Sequence, residues 1–124
     1  MNSRATIIDL SAINEDEVEI SINDKRLVCF IAYCPYDIQI GEIYDVEISL
    51  YFINDQKLEI SLSNSSSGFE RISNTFSYYI NGHLQGNKIF SDGIEFEDDI
   101  LYNYSLYDNK SILLKVDRVD IAFL

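Results

Sequence analysis

Tryptophan is absent from this 124-residue chain, and proline, methionine and histidine occur once each. Without Trp, a sugar- or base-stacking platform lacks its largest ring. The single histidine, His83, stands far in sequence from Cys29 and Cys34. A zinc site wants more ligands at metal spacing, and a Cys-His pair has no local support. No apolar run approaches the roughly 20 residues of a membrane-spanning helix. Residues 1–10 lack an apolar core and a small-residue cleavage motif, so a cytoplasmic protein with no membrane partner is expected. Glycine-rich phosphate loops and nucleophile elbows are missing as well. No enzyme and no cofactor are therefore expected. Carboxylate-pair chemistry stays formally open, because so many carboxylates are available that choosing two is arbitrary.

Positive charge is the other scarcity. Nine Lys and Arg stand against 21 Asp and Glu, a net of −12. Arg4, Lys25, Arg26, Lys57, Arg71, Lys88, Lys110, Lys115 and Arg118 are scattered rather than grouped. A field of this sign repels phosphate backbones and attracts basic surfaces. Nucleic acid is thus disfavoured as a partner, and a basic protein is favoured.

The hydrophobic content of 47% is that of a folding chain, and its length suits one domain over 1–124. Ile and Tyr are frequent, which favours strands. Glu17–Ile22 alternates, with Val18, Ile20 and Ile22 inward. Leu27–Tyr33 reads as a central strand buried on both faces. In Glu42–Phe52, residues Tyr44, Val46, Ile48, Leu50 and Phe52 share one face. A hairpin at Asn54-Asp55 would return the chain through Leu58, Ile60 and Leu62. Ser63–Gly68 reads as a flexible Ser-rich loop at 63–68. Asn23-Asp24, Asn81-Gly82 and Asp92-Gly93 are turn dipeptides. Ile100, Tyr102, Tyr104 and Leu106 alternate as a strand. Between Val116 and Val119 the apolar phase slips, which calls for a β-bulge near Asp117-Arg118. The fold class is all-β: about ten short antiparallel strands in a sandwich or partly open barrel. Cys29 and Cys34, five apart on one strand, point to opposite faces and read as free, buried thiols.

Two acidic groups are candidates for partner binding. The first is Asp92, Glu95, Glu97, Asp98 and Asp99, beside Tyr102 and Tyr107. Its carboxylates would steer and pair Arg and Lys, and its tyrosines would anchor. Its spacing does not fit an EF-type calcium loop. The second is Glu15, Asp16 and Glu17. The plain reading of either is a solvated acidic surface. Asp45 and Glu47, with Glu59 opposite them across the expected hairpin, form a third group that Lys57 could offset.

In size, acidity, lack of a leader and lack of catalytic motifs, the chain resembles small acidic bacterial immunity proteins, such as those of contact-dependent growth inhibition. That resemblance implies a cytoplasmic inhibitor of a basic toxin, often a nuclease with a cationic cleft. A nucleic-acid mimic and a carbohydrate- or ligand-binding β-module are the alternatives.

Overall fold

The computed structural model describes residues 3–64 and 67–124. Ser65 and Ser66, within the predicted Ser-rich loop, lie outside the described residues. The strands are β1 (Ser3–Leu10), β2 (Glu17–Ile22), β3 (Lys25–Tyr33), β4 (Ile43–Tyr51), β5 (Ile60–Leu62), β6 (Gly68–Arg71), β7 (Tyr78–Gln85), β8 (Lys88–Ser91), β9 (Ile94–Glu97), β10 (Ser111–Val116) and β11 (Arg118–Phe123). A 3₁₀ segment spans Asp99–Tyr107. The all-β expectation holds, with one correction. The eleven strands form a single mixed sheet rather than a purely antiparallel one, because β3 and β11, and β4 and β9, run parallel.

Alternation explains the local structure. Val18, Ile20 and Ile22 of β2 are buried, as are Val46, Ile48 and Leu50 of β4, while Asp45, Glu47 and Ser49 face solvent. β3 departs from the two-sided burial expected of it. Only Leu27 and Cys29 are fully buried, and Val28 and Phe30 are half-exposed on the outer face. Cys29 is a buried free thiol, whereas Cys34 is only half-buried.

Two turn dipeptides behave as their chemistry requires. Asn23 and Asp24 have φ of 52° and 65°, and Asp92 and Gly93 have φ of 50° and 77°. Both close two-residue hairpins, Ile22 opposite Lys25 and Ser91 opposite Ile94. Asn81-Gly82 does not turn. It lies inside β7, and the reversal comes at Gly86-Asn87, where Gln85 pairs with Lys88. Gly82 serves close approach instead. A Cβ there would sit 2.5 Å from the Phe90 carbonyl oxygen and 2.8 Å from Ile89 Cγ1. At this residue β7 passes from pairing with β6 to pairing with β8. His83 is accordingly a half-buried strand residue.

Two further corrections concern β5 and the 3₁₀ segment. β5 pairs with β10 and not with β4, so no hairpin forms at Asn54-Asp55. The segment read as a strand of Ile100, Tyr102, Tyr104 and Leu106 is helical. Leu101 is fully buried and Tyr104 and Tyr107 are half-buried, whereas Leu106 is 84% exposed. The segment is two short 3₁₀ turns that meet at a kink at Tyr104 (φ −117°, ψ 40°), and residues 101, 104 and 107 turn inward.

One end of the sheet curls. β1 pairs with β2 and also with β4, so β1-β2-β3-β11-β4 form a continuous ring of pairings. From β4 the sheet continues outward through β9, β8, β7 and β10 to β5, and does not close as one barrel. The phase slip expected near Asp117 is the device that links the two halves. β10 belongs to the outer extension, β11 belongs to the ring, and only Asp117 separates them. Its backbone N–H donates to the Tyr51 carbonyl, and its carboxylate accepts from Ile53 N–H at 2.9 Å.

Candidate functional site: an acidic surface around β4, β9 and the 3₁₀ segment

The parallel contact between β4 and β9 is a single residue pair, Ser49 with Glu97. Beside it the two chains part, and the first turn of the 3₁₀ segment borders the gap. The result is a cleft of about 350 Å³, lined by Glu47, Ile48, Ser49, Leu50, Glu97, Asp98 and Asp99. Four of those seven residues are carboxylates, and none is basic.

Each acid has an assigned position. Glu47 points outward from β4 by strand alternation. Glu97 is the last residue of β9, opposite Lys88 of β8. Asp98 caps the 3₁₀ segment: its carboxylate accepts from Ile100 N–H at 2.9 Å, and its own N–H donates to Asn87 O. Asp99 accepts from Asn87 Nδ2 at 2.9 Å, which ties the segment to the β7–β8 turn. Burial pushes the Asp98 carboxyl above its ordinary pKa. The Ile100 N–H partly opposes this, and the charges of Asp99 and Asp120 add to it.

The remaining members of the first sequence group are placed apart from the cleft. Asp92 sits in the turn at the far end of β9, where its N–H donates to Ser67 Oγ. Glu95 lies outside the cleft lining, 3.6 Å from Lys88 Nζ. Tyr102 is exposed and lies by Gly86, and Tyr107 packs against the core. Neither tyrosine lines the cleft.

The second group is joined to the cleft by the register of the sheet. Glu15 and Asp16 are exposed in the β1–β2 loop, and Asp16 O accepts from Ile31 N–H at 2.7 Å. Glu17 opens β2. Pairings then run Glu17 to Phe30, Phe30 to Asp120, Asp120 to Ser49, and Ser49 to Glu97. One row of five strands therefore carries both groups, about 19 Å apart along the sheet at about 4.8 Å per strand step. In the middle stands Arg118. Its guanidinium lies 3.8 Å from the Phe30 ring centre and 4.3 Å from that of Tyr51, and its Nε donates to Asp120 at 2.6 Å. The third group dissolves: Glu59 is 3.4 Å from Lys115 on β10, not opposite Asp45 or Glu47.

Sequence reasoning missed Glu47 as a cleft residue. Alternation did place Glu47 outward. Its meeting with Glu97 depends on a parallel contact between strands over 40 residues apart, which no local pattern encodes. A larger groove of about 690 Å³ near β5 contains Lys57, Lys115, Glu59 and Asp117, and so has no net charge. Among the described residues, no three His, Cys, Asp or Glu side chains are placed to hold a metal ion, and no helix is long and apolar enough to cross a membrane.

The fold and surface define an all-β protein with a mixed eleven-stranded sheet and an acidic cleft beside β4 and β9. The chain belongs to the family described as "Uncharacterised conserved protein UCP019853", whose model matches residues 1–124. No curated protein and no solved structure matches it.

Proposed function

We propose that this chain is a binding protein that neutralises a basic protein partner, as an immunity protein neutralises its toxin. The observation that carries this reading is the cleft in which Glu47, Glu97, Asp98 and Asp99 converge with no basic residue in the lining. Such a cleft is complementary in sign to a cationic surface, whose Lys and Arg its carboxylates would pair on binding. The net charge of −12 adds long-range steering. The proposed partner is a toxin domain of nuclease type with a cationic cleft, met in the cytoplasm.

The test uses the full chain as bait in lysate of its source, eluted with a salt gradient. The triple variant Glu47→Gln/Asp98→Asn/Asp99→Asn serves as the control bait. The reading expects one basic protein that elutes late from wild type and is lost from the triple variant. Its nuclease activity should fall on adding wild type and not on adding the variant. Equal retention by both baits, or a captured protein whose activity is untouched, would refute the reading. Retention of glycans or small ligands instead would favour the β-module alternative.

A further inference from the structure

Beside the cleft lies a sheet face that carries the exposed rings the cleft itself lacks. β3, β11 and β4 run side by side there, and their outward residues fall in rows. Arg118 pairs with Tyr51 in the first row. Phe30, Asp120 and Ser49 form the second, and Tyr33, Ala122 and Glu47 the third. At about 3.3 Å per residue and about 4.8 Å per strand, the face measures about 13 Å by about 10 Å. Tyr33 is 58% exposed and Tyr51 43%. The centre is fixed before any partner arrives. The Arg118 guanidinium stacks on both the Phe30 and Tyr51 rings, and its Nε and Nη2 donate to the two Asp120 oxygens at 2.6 and 3.1 Å. Phe76 braces Phe30 edge-on, with ring centres 5.7 Å apart. Rings held in place in the free protein lose little freedom on binding. Asp120 offsets the charge of Arg118, so the sign of the face is set at its two edges. Glu17 continues the second row on the β2 side, and Glu47 closes the third row on the β4 side.

We propose that this face is the apolar half of the partner interface, and that the partner lays on it an aromatic side chain flanked on both sides by Lys or Arg. The assignment rests on the proposed function, whose cleft supplies most of the charge. The two surfaces are continuous, because Glu47 belongs to both. Ala122, with its single methyl group, keeps the third row low between Tyr33 and Glu47. A ring laid there meets Tyr33 on one side, and a neighbouring cation meets Glu47 on the other. Charge selects this occupant. An acidic segment is repelled at both edges, and an uncharged one gains nothing from Glu17, Glu47 or the cleft. Residue type agrees, since Tyr and Arg are the side chains most often found at the energetic centre of an interface. Tyr33 and Tyr51 thus take the anchoring role that sequence assigned to Tyr102 and Tyr107, neither of which lines the cleft.

The experiment uses two end-blocked peptides of equal charge, Lys-Lys-Trp-Lys-Lys and Lys-Lys-Gly-Lys-Lys, titrated into the full chain at about 20 mM NaCl, where screening is weak. Calorimetry reads both affinities. The chain has no Trp, so the peptide's indole is an unshared fluorescent reporter. The expected result is that wild type binds the Trp peptide about tenfold more tightly than the Gly peptide, the worth of one well-packed ring, with the indole emission shifted to shorter wavelength. Tyr33→Ser/Tyr51→Ser should bring the two peptides to the same affinity and abolish the emission shift. Tyr33→Ser alone, which leaves the Arg118 stack untouched, should lose part of the difference with an unchanged circular dichroism spectrum. Glu47→Gln/Asp98→Asn/Asp99→Asn should weaken both peptides by a similar factor. Equal affinity of wild type for the two peptides would overturn the proposal, as would a Trp advantage that both tyrosine variants keep. A triple variant that binds both peptides as wild type does would instead refute the cleft reading, and the proposal would fall with it.

Discussion

Asp98 combines two demands that oppose each other. As a cap it must offer an oxygen to Ile100 N–H, and as a cleft residue it holds a partly buried charge near Asp99 and Asp120. Its folded pKa is raised above its unfolded value. A raised group contributes stability below its unfolded pKa, and that contribution is lost as pH rises through the folded pKa. At pH 7 the charge is therefore a burden on the fold. Asparagine keeps the capping oxygen and removes the charge. Asp98→Asn should raise the urea midpoint at pH 7, and the gain should vanish at about pH 3, where the wild-type carboxyl is itself protonated. The same variant should bind the basic partner more weakly, a trade of stability against function. A midpoint at pH 7 equal to or below wild type would show that the buried charge carries no such penalty. At this scale the sequence was partly legible. Glu97, Asp98 and Asp99 are adjacent in sequence and line one cleft. Glu47 was matched to Glu59 because both alternate outward on neighbouring segments, and that matching presumed a hairpin that does not form.

The 3₁₀ segment is the element where local pattern misled. Ile100, Tyr102, Tyr104 and Leu106 alternate, but alternation specifies a strand only where a neighbouring strand receives it. Here Asp98 caps a turn, Asn87 holds Asp99, and the Gly86 N–H donates to Asp108 Oδ1 at 2.9 Å. The backbone is thus satisfied locally and by the β7–β8 turn. The residue that matters for stability is Leu101, between two members of the alternating set. Leu101→Ala should cost about 2–5 kcal/mol, as a large-to-small change in a core. Leu106→Ala should stay within about 0.5 kcal/mol of wild type, as for an exposed position. Urea unfolding of both variants checks the pair, and a reversed order would restore the strand reading. Where partners were local, the elements were legible. The Asn23-Asp24 and Asp92-Gly93 hairpins follow from residues that accept positive φ at the turn. Asn81-Gly82 shows the limit: the same dipeptide serves a close approach when another strand crosses it.

For the whole molecule, the net charge of −12 acts on stability as well as on binding. Self-repulsion among carboxylates destabilises the compact state, and salt screens it. The melting temperature of the isolated protein should therefore rise between about 20 mM and about 300 mM NaCl, over which the Debye length shortens several-fold. Calorimetry at both salts reads this directly. A melting temperature that falls with salt would mean that ion pairs such as Lys88–Glu95 outweigh the repulsion.

The amino-acid sequence by itself determined the all-β class, the buried faces of β2 and β4, two of the hairpin turns and the sign of the surface. Each of these depends on residue type and on spacing over a few positions, which is where strand alternation, turn geometry and charge operate. Tertiary structure alone decided that the sheet is mixed, that β1 joins β4 to complete a ring, and that β5 ends up against β10. It also decided that Glu47 meets Glu97, and that Glu17 shares their row. These are pairings between segments distant in the chain. The backbone hydrogen bonds that make them are the same for any sequence, so only the packing of the whole core selects which strands meet.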